Sequence, residues 1–257
     1  MAHIHNFSAG PSILPKSVFE EASRAVVDFN GSGLSILEMS HRSKDFVAVM
    51  DEARSLVKEI LGLGDDYDVL FLQGGASTGF LISAYNMLRE NNRGGYINTG
   101  SWANKAVKEG KWVGDALEVA SSKEANYNFI PKGYESPTDV DYLHYTSNNT
   151  IFGTQYHHIP DVTVPLVCDM SSDIFSRPID ASKFDLIYAG AQKNMGPAGT
   201  TVYIFKKEIL GKSSADIPTM LNLKTHADKD SMFNTPPVFP VYVSMLVLRW
   251  IKSLGLE

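Results

Sequence analysis

The chain of 257 residues holds a single cysteine, Cys168. One thiol excludes an intrachain disulfide framework and a thiolate zinc cluster. The chain also lacks any Lys/Arg run of the kind that tracks a phosphate backbone, with 23 basic residues against 29 acidic ones and a net charge of −6. Nucleic acid is therefore not an expected partner. No stretch of about eighteen apolar residues occurs, and no apolar signal segment, so neither a membrane span nor secretion is expected. A cytoplasmic location follows as the default. Internal repeats and low-complexity linkers are absent too.

What is present is an ordinary globular composition, 44% hydrophobic and 20% charged. The length suits one large domain, or one domain and part of another. Strand and helix signals alternate along it. "YDVLFLQ" is a short apolar run ending in "GGAST", after which "FLISAYNMLREN" has helical spacing. "RGGYINTG" precedes the polar helix "SWANKAVKEGKWVG", and "VPLVCDMSSD" and "FDLIYAGAQ" are further strand-length runs. Before them, "PKSVFEEASRAVVDF" and "KDFVAVMDEARSLVKEILGL" carry apolar residues at three- and four-residue spacing. Such alternation predicts an α/β fold: a mostly parallel central sheet with helices on both faces. Residues 121–139 are the most polar stretch and read as a connecting surface region. The final "PVFPVYVSMLVLRWIKSLGLE" reads as a largely apolar helix after prolines, with no closing element behind it.

In open α/β sheets ligands gather at the carboxyl ends of the strands. The alternation puts Gly74–Thr78, Thr99, Ser101, Trp102, Asp169, Ser171 and Gln192–Asn194 there. "GGAST" at a strand-to-helix junction exposes backbone N–H groups at the positive end of a helix, which suits a phosphate; plain turn chemistry explains it equally well. Asp169 closes an apolar run, where a carboxylate either escapes to solvent as a loop cap or meets a cation. Lys193 sits among small and apolar neighbours, with no acidic residue within five positions. It either snorkels to the surface or, desolvated, offers a neutral amine to a carbonyl. One strand–helix–strand step is expected to separate Asp169 from Lys193, so that both point into one crevice. A phosphate cup, an aspartate and a lysine at neighbouring strand ends are what pyridoxal 5'-phosphate needs: an anion site, a partner for the pyridinium nitrogen and a Schiff-base amine. Trp102 adds a flat face for ring stacking, or simply packs. Ala189, Gly190 and Ala191 are then expected to be small to leave space for the flat cofactor.

The segments "HNFSAGPSILP", "EMSHRSKDF", "FLQGGAS", "NTGSWANKA", "HYTSNNTIFG", "DMSSDIFSRPID", "YAGAQKNMGPAG" and "FNTPPVFPVY" resemble the phosphoserine aminotransferase family of fold-type-I, class V pyridoxal-phosphate enzymes. The resemblance covers essentially the whole chain. It implies reversible amino transfer between glutamate and 3-phosphohydroxypyruvate, giving O-phosphoserine and 2-oxoglutarate in serine biosynthesis, with the phosphohydroxythreonine analogue of pyridoxine synthesis as a further substrate. It implies Lys193 as Schiff-base lysine and general acid–base, Asp169 as partner of the pyridine nitrogen, and Ala76, Ser77 and Gln192 at the cofactor phosphate. Trp102 would stack on the ring and Thr150 would hold the phenolic oxygen. The resemblance also implies a homodimer with shared active sites, in which Asn234 and Thr235 reach the partner's cofactor phosphate. His41 and Arg42 would bind substrate, a guanidinium fork suiting a carboxylate or phosphate; without the resemblance they read as a surface basic pair.

Two departures stand out. The family's phosphate loop has glutamine where this chain has Gly79, so one side-chain hydrogen bond to the site is expected to be missing. Family chains also run on for roughly another hundred residues, a typical small-domain size, into a domain with a His-Arg pair that clamps the substrate carboxylate. Residues 1–15 therefore read as an N-terminal arm and 16–257 as the large cofactor domain, ending at the first helix of a C-terminal small domain that is apparently absent. Two other readings remain: a non-catalytic cofactor-binding and dimerisation module, and a class V relative acting on alanine or serine with glyoxylate.

Overall fold

The computed structural model describes residues 4–257; the first three residues of the predicted arm lie outside it. Residues 4–15 run without regular structure to α1 (Lys16–Val27) and α2 (Lys44–Leu61). Ser43 caps α2 by accepting from the Phe46 N–H, and Gly62 ends it in a left-handed conformation at φ 65°. Only glycine takes that conformation without a Cβ penalty, so the boundary is written in the sequence.

Then come β1 (Tyr67–Leu72), α3 (Gly75–Met87), β2 (Arg93–Asn98), α4 (Ser101–Val113), β3 (Asp115–Ser121), β4 (Tyr142–Thr146), β5 (Leu166–Asp169), β6 (Leu186–Gly190) and β7 (Thr201–Lys206). A short α5 (Leu223–Ala227) and α6 (Val238–Leu254) complete the order. The seven strands form one sheet in the order β1-β7-β6-β5-β4-β2-β3. β7 is antiparallel to both neighbours, and the other pairings are parallel. The expected mostly parallel sheet is thus present, with one reversed strand inserted beside β1.

Strand side chains alternate between two cores. Leu143, Tyr145, Cys168, Ile187 and Ala189 point to the side of α1, α2 and α6, whereas Tyr142, Val167, Leu186, Tyr188 and Tyr203 point to the side of α3 and α4. Helices on both faces bury the strands, as near-continuous apolar runs require. Among the described residues no helix is long and apolar enough to cross a membrane.

One connection differs from expectation. No α-helix lies between Asp169 and Lys193; residues 170–185 turn back through a single 3₁₀ turn at Ala181–Lys183. Asp173 stands where a helix would begin and instead collects Ser147, Gln155 and Arg177, which fixes the loop without one. Because β5 and β6 are adjacent and parallel, the two residues still reach the same edge of the sheet.

Candidate active site

Five strand ends converge. β1 leads through Gly74 and Gly75, at φ +104° and +67°, directly into α3, so the N–H groups of Gly75, Ala76 and Ser77 form its first turn. These amides have no intrahelical acceptor and carry the positive end of the helix dipole. Ala76 is half-buried and Ser77 exposed, so this cup opens to ligand.

Asp169 ends β5 and is 4% exposed. Its Oδ1 accepts from the Ser171 N–H at 2.9 Å and the Ser171 hydroxyl at 2.6 Å, while Ser171 Oγ accepts from the Gly190 N–H at 3.1 Å. Burial pushes the carboxyl above its ordinary value, and the Ser171 hydrogen bonds and the Lys193 charge pull it back. The carboxylate is therefore set to prefer a cationic partner.

Lys193 follows β6 in a turn. Its Nζ donates to Thr150 Oγ1 at 2.6 Å and Ser172 Oγ at 3.3 Å, and those hydroxyls lie 2.7 Å apart. Nζ also stands 5.3 Å from the centre of the Trp102 ring. Burial lowers the lysine pKa, opposed by Asp169 and Asp173, so the neutral amine is reached below the ordinary lysine range.

Trp102 sits in the first turn of α4, capped on its outer side by Lys105 Nζ at 4.4 Å from the ring centre. That helix start is tied to the Thr150 loop. Asn149 Nδ2 donates to Thr99 Oγ1 at 3.1 Å and Thr154 Oγ1 at 3.1 Å. Gly100 packs so closely that a Cβ there would meet Asn149 Oδ1 at 2.6 Å. The arm supplies the remaining wall: Ser12 N–H donates to the Gln192 carbonyl at 3.0 Å, Ser12 Oγ donates to the Lys193 carbonyl, and a Cβ on Gly10 would lie 3.1 Å from Lys193 Cγ.

The fold thus brings together Lys193, Thr150, Asp169 and Trp102, with Gln192 adjoining. Its amide folds back over Gly190, where a Cβ would lie 2.8 Å from Gln192 Oε1. Ser172, Asn149 and the Gly10–Ser12 arm are additions that the sequence alone does not assign. A hydroxyl pattern carries no periodicity, and only the chain's return shows which serine faces the lysine. His41 and Arg42 lie in the turn before α2, Arg42 exposed and His41 Nε2 buried without a partner. No hydrogen bond among the described residues joins them to Lys193. Thr235 is held by its carbonyl, which accepts from Gln73 Nε2 at 2.6 Å, and the neighbouring Asn234 Oδ1 is buried without a partner.

Two expectations are corrected. Ala189 and Ala191 do not leave room for a ligand; both are wholly buried in the core under α2 and α6. Gly79 does not leave the cup short of a side chain. A Cβ there would lie 2.6 Å from Tyr188 Cδ2, so the position faces the sheet and is glycine because α3 rides on that ring.

Residues 4–257 match the family Aminotransferase class-V. Phosphoserine aminotransferase of Flavobacterium johnsoniae is 64% identical over 252 residues, covering 98% of this chain and 71% of that protein. The solved phosphoserine aminotransferase of Bacillus circulans subsp. alkalophilus superposes with a TM-score of 0.94 at 47% identity, over 98% of this chain and 71% of that one. The enzyme from Trichomonas vaginalis, solved with pyridoxal phosphate bound, gives a TM-score of 0.92 at 33% identity, over 98% and 72%. Strand order, crevice and likeness converge: the chain belongs to the phosphoserine aminotransferases of the class V aminotransferase family.

Proposed function

We propose that this chain binds pyridoxal phosphate through Lys193 and moves an amino group between glutamate and 3-phosphohydroxypyruvate, making O-phosphoserine. The observation that carries this is the Lys193 amine, desolvated yet hydrogen-bonded to Thr150 at 2.6 Å, in one crevice with buried Asp169. The residues present suit the cofactor: free amides at the start of α3 for a phosphate, a carboxylate for a ring nitrogen, an indole face, a hydroxyl for a phenolic oxygen, and an amine. Bound there, pyridoxal phosphate supplies an electron sink that makes the substrate Cα–H acidic.

The protein's own part follows from the geometry. Asp169, itself buried and fixed by both Ser171 donors, would hold a proton at the ring nitrogen by electrostatics. Trp102, held by the Asn149 bonds, limits the crevice to a flat occupant. Lys193 Nζ takes the Cα proton and returns it, and its lowered pKa makes the neutral form available for that. The first turn of α3 anchors the phosphate with Ala76 and Ser77, and Gln192 closes the side.

We place the active unit in a homodimer in the cytoplasm. Ile4 and Phe7, 83% and 93% exposed, are the apolar surface that a second copy would cover. Arg42 and His41 are then the substrate's anion contacts and Asn234 and Thr235 the partner's phosphate contacts, across the interface. The test is direct. Adding pyridoxal phosphate gives imine absorbance that borohydride fixes on the Lys193 peptide, and turnover appears with glutamate plus phosphohydroxypyruvate. Turnover only with alanine or serine plus glyoxylate overturns the substrate assignment.

A further inference from the structure

The two serines after Asp169 face opposite ways. Ser171 addresses Asp169 and the Gly190 N–H. Ser172 addresses the other charged group: its Oγ lies 2.7 Å from Thr150 Oγ1, 3.3 Å from Lys193 Nζ and 3.4 Å from the Asn148 carbonyl oxygen. One dipeptide therefore touches the anion with its first hydroxyl and the amine with its second.

The proton inventory gives Ser172 a distinct task. A hydroxyl that donates to the Asn148 carbonyl keeps its lone pairs for an N–H of Lys193 and the O–H of Thr150. An amine that gives two N–H groups to two oxygens on one side carries its lone pair on the opposite side. The Trp102 ring, its centre 5.3 Å from Nζ, is the further group beside that nitrogen and marks the crevice into which the lone pair would turn. Thr150 has one proton to give, and a ligand oxygen in the crevice would take it while the Thr150 lone pairs still accept from the lysine; Ser172 is the second acceptor, the one with no bond to the ligand to share.

Resting on the Schiff-base role read for Lys193, we propose that Ser172 is a positioning residue: together with Thr150 it docks the free Lys193 amine with its lone pair turned into the crevice. Desolvation lowers the pKa of the amine without aiming it. The Asn148 carbonyl, at the start of the loop that carries Thr150, makes the docking point rigid on the β4 side.

The test measures the amine and not the reaction. The full chain, freed of carbonyl cofactor by dialysis against hydroxylamine, is trace-labelled with acetic anhydride across pH, and acetylation of Lys193 is read by mass spectrometry. Ser172→Ala is expected to lower the reactivity of the unprotonated amine roughly tenfold, the factor that one hydrogen bond of this kind commands, while Ser172→Thr, which keeps the hydroxyl, stays within about twofold of wild type. A wild-type profile in Ser172→Ala overturns the proposal, as does an equal fall in Ser172→Thr. If Ser172→Ala does not fold, Ser172→Cys, a weaker acceptor, replaces it under the same criterion. A wild-type protein that forms no imine with pyridoxal phosphate breaks the reading of the site, and the labelling profile still decides the role of Ser172.

Discussion

Two buried polar clusters sit within one sheet. Beneath α3 and α4, Tyr96 and Tyr142 share a hydrogen bond of 2.5 Å, and His144 Nε2 pairs with Tyr188 Oη at 2.7 Å. At the carboxyl edge lie Asp169, Lys193, Thr150 and the two serines. Burial acts on both, fully on the first and in part on the second, where Lys193, Thr150 and Ser172 are half-buried. In the first it drives every group to its neutral form: His144 falls to about 3, Tyr96 rises to about 12, and Tyr142 and Tyr188 rise well above the ordinary range. In the second, each charged form keeps an opposing charge or hydrogen-bond partner, so burial moves the pKa values without extinguishing the charges. Reactivity here comes from desolvation together with an unmet partner, not from burial alone.

The contrast can be broken at its strongest point first. Lys193→Ala should abolish the borohydride-fixed imine and lower turnover by three orders of magnitude or more, at the upper end of what a positioned acid–base group supplies, about 10²–10⁴. Unfolding midpoints should barely move, since the side chain leaves a crevice and not a core. Asp169→Asn keeps the shape and removes the charge. Imine formation should survive while turnover falls about 10²–10³-fold, the range for a single electrostatic contact aimed at developing charge.

His144 tests the inert cluster through pH. Its folded pKa of about 3 lies below its unfolded value near 6.5, so between the two the unfolded chain binds the extra proton. Stability from this group is present in full above pH ~6.5 and is lost as the pH falls toward ~3, at about 1.4 kcal/mol per pH unit. His144→Phe should flatten that part of the acid limb in urea titrations. An unchanged slope would mean that the imidazole is not held neutral.

Gly79→Gln is the smaller probe. It supplies the family's usual side chain but drives a Cβ into Tyr188, so a loss of about 1–3 kcal/mol in urea unfolding is expected, with no gain in cofactor affinity. Tighter binding would restore the phosphate role. Smallest is Ser43→Ala at the cap of α2, about 1 kcal/mol in the same measurement and silent in turnover.

Much of this was legible in the sequence because it depends on local pattern. The strands ending at Leu72, Asn98, Asp169 and Gly190 are apolar runs, and their ends placed Gly74, Trp102, Asp169 and Lys193 at one edge. β3 escaped because an edge strand only half-buried, Asp115–Ser121, has no apolar run to show. The reversal of β7 is a pairing choice that no strand pattern encodes. Ala189 and Ala191 misled, since smallness suits a packed core as well as a ligand wall. Ser172 and Asn149 were invisible for another reason: their partners lie 21 and 50 residues away, and a hydroxyl or amide does not announce which backbone will return to it.

The Ser12 contact with Lys193 spans 181 residues of chain. A contact of that separation forms only after the loop between its ends has closed, which makes it among the last to be satisfied. The crevice is thus expected to be completed late, when the arm docks on the loop that follows β6. During refolding, secondary structure should recover before the ability to take up pyridoxal phosphate, and simultaneous recovery in far-ultraviolet dichroism and imine absorbance would refute that order. While the arm is undocked, the wall that Gly10 and Ser12 lay against Lys193 is missing. Residues 10–12 act as a completion signal: they can close on Lys193 only once β6 and the loop after it are in place.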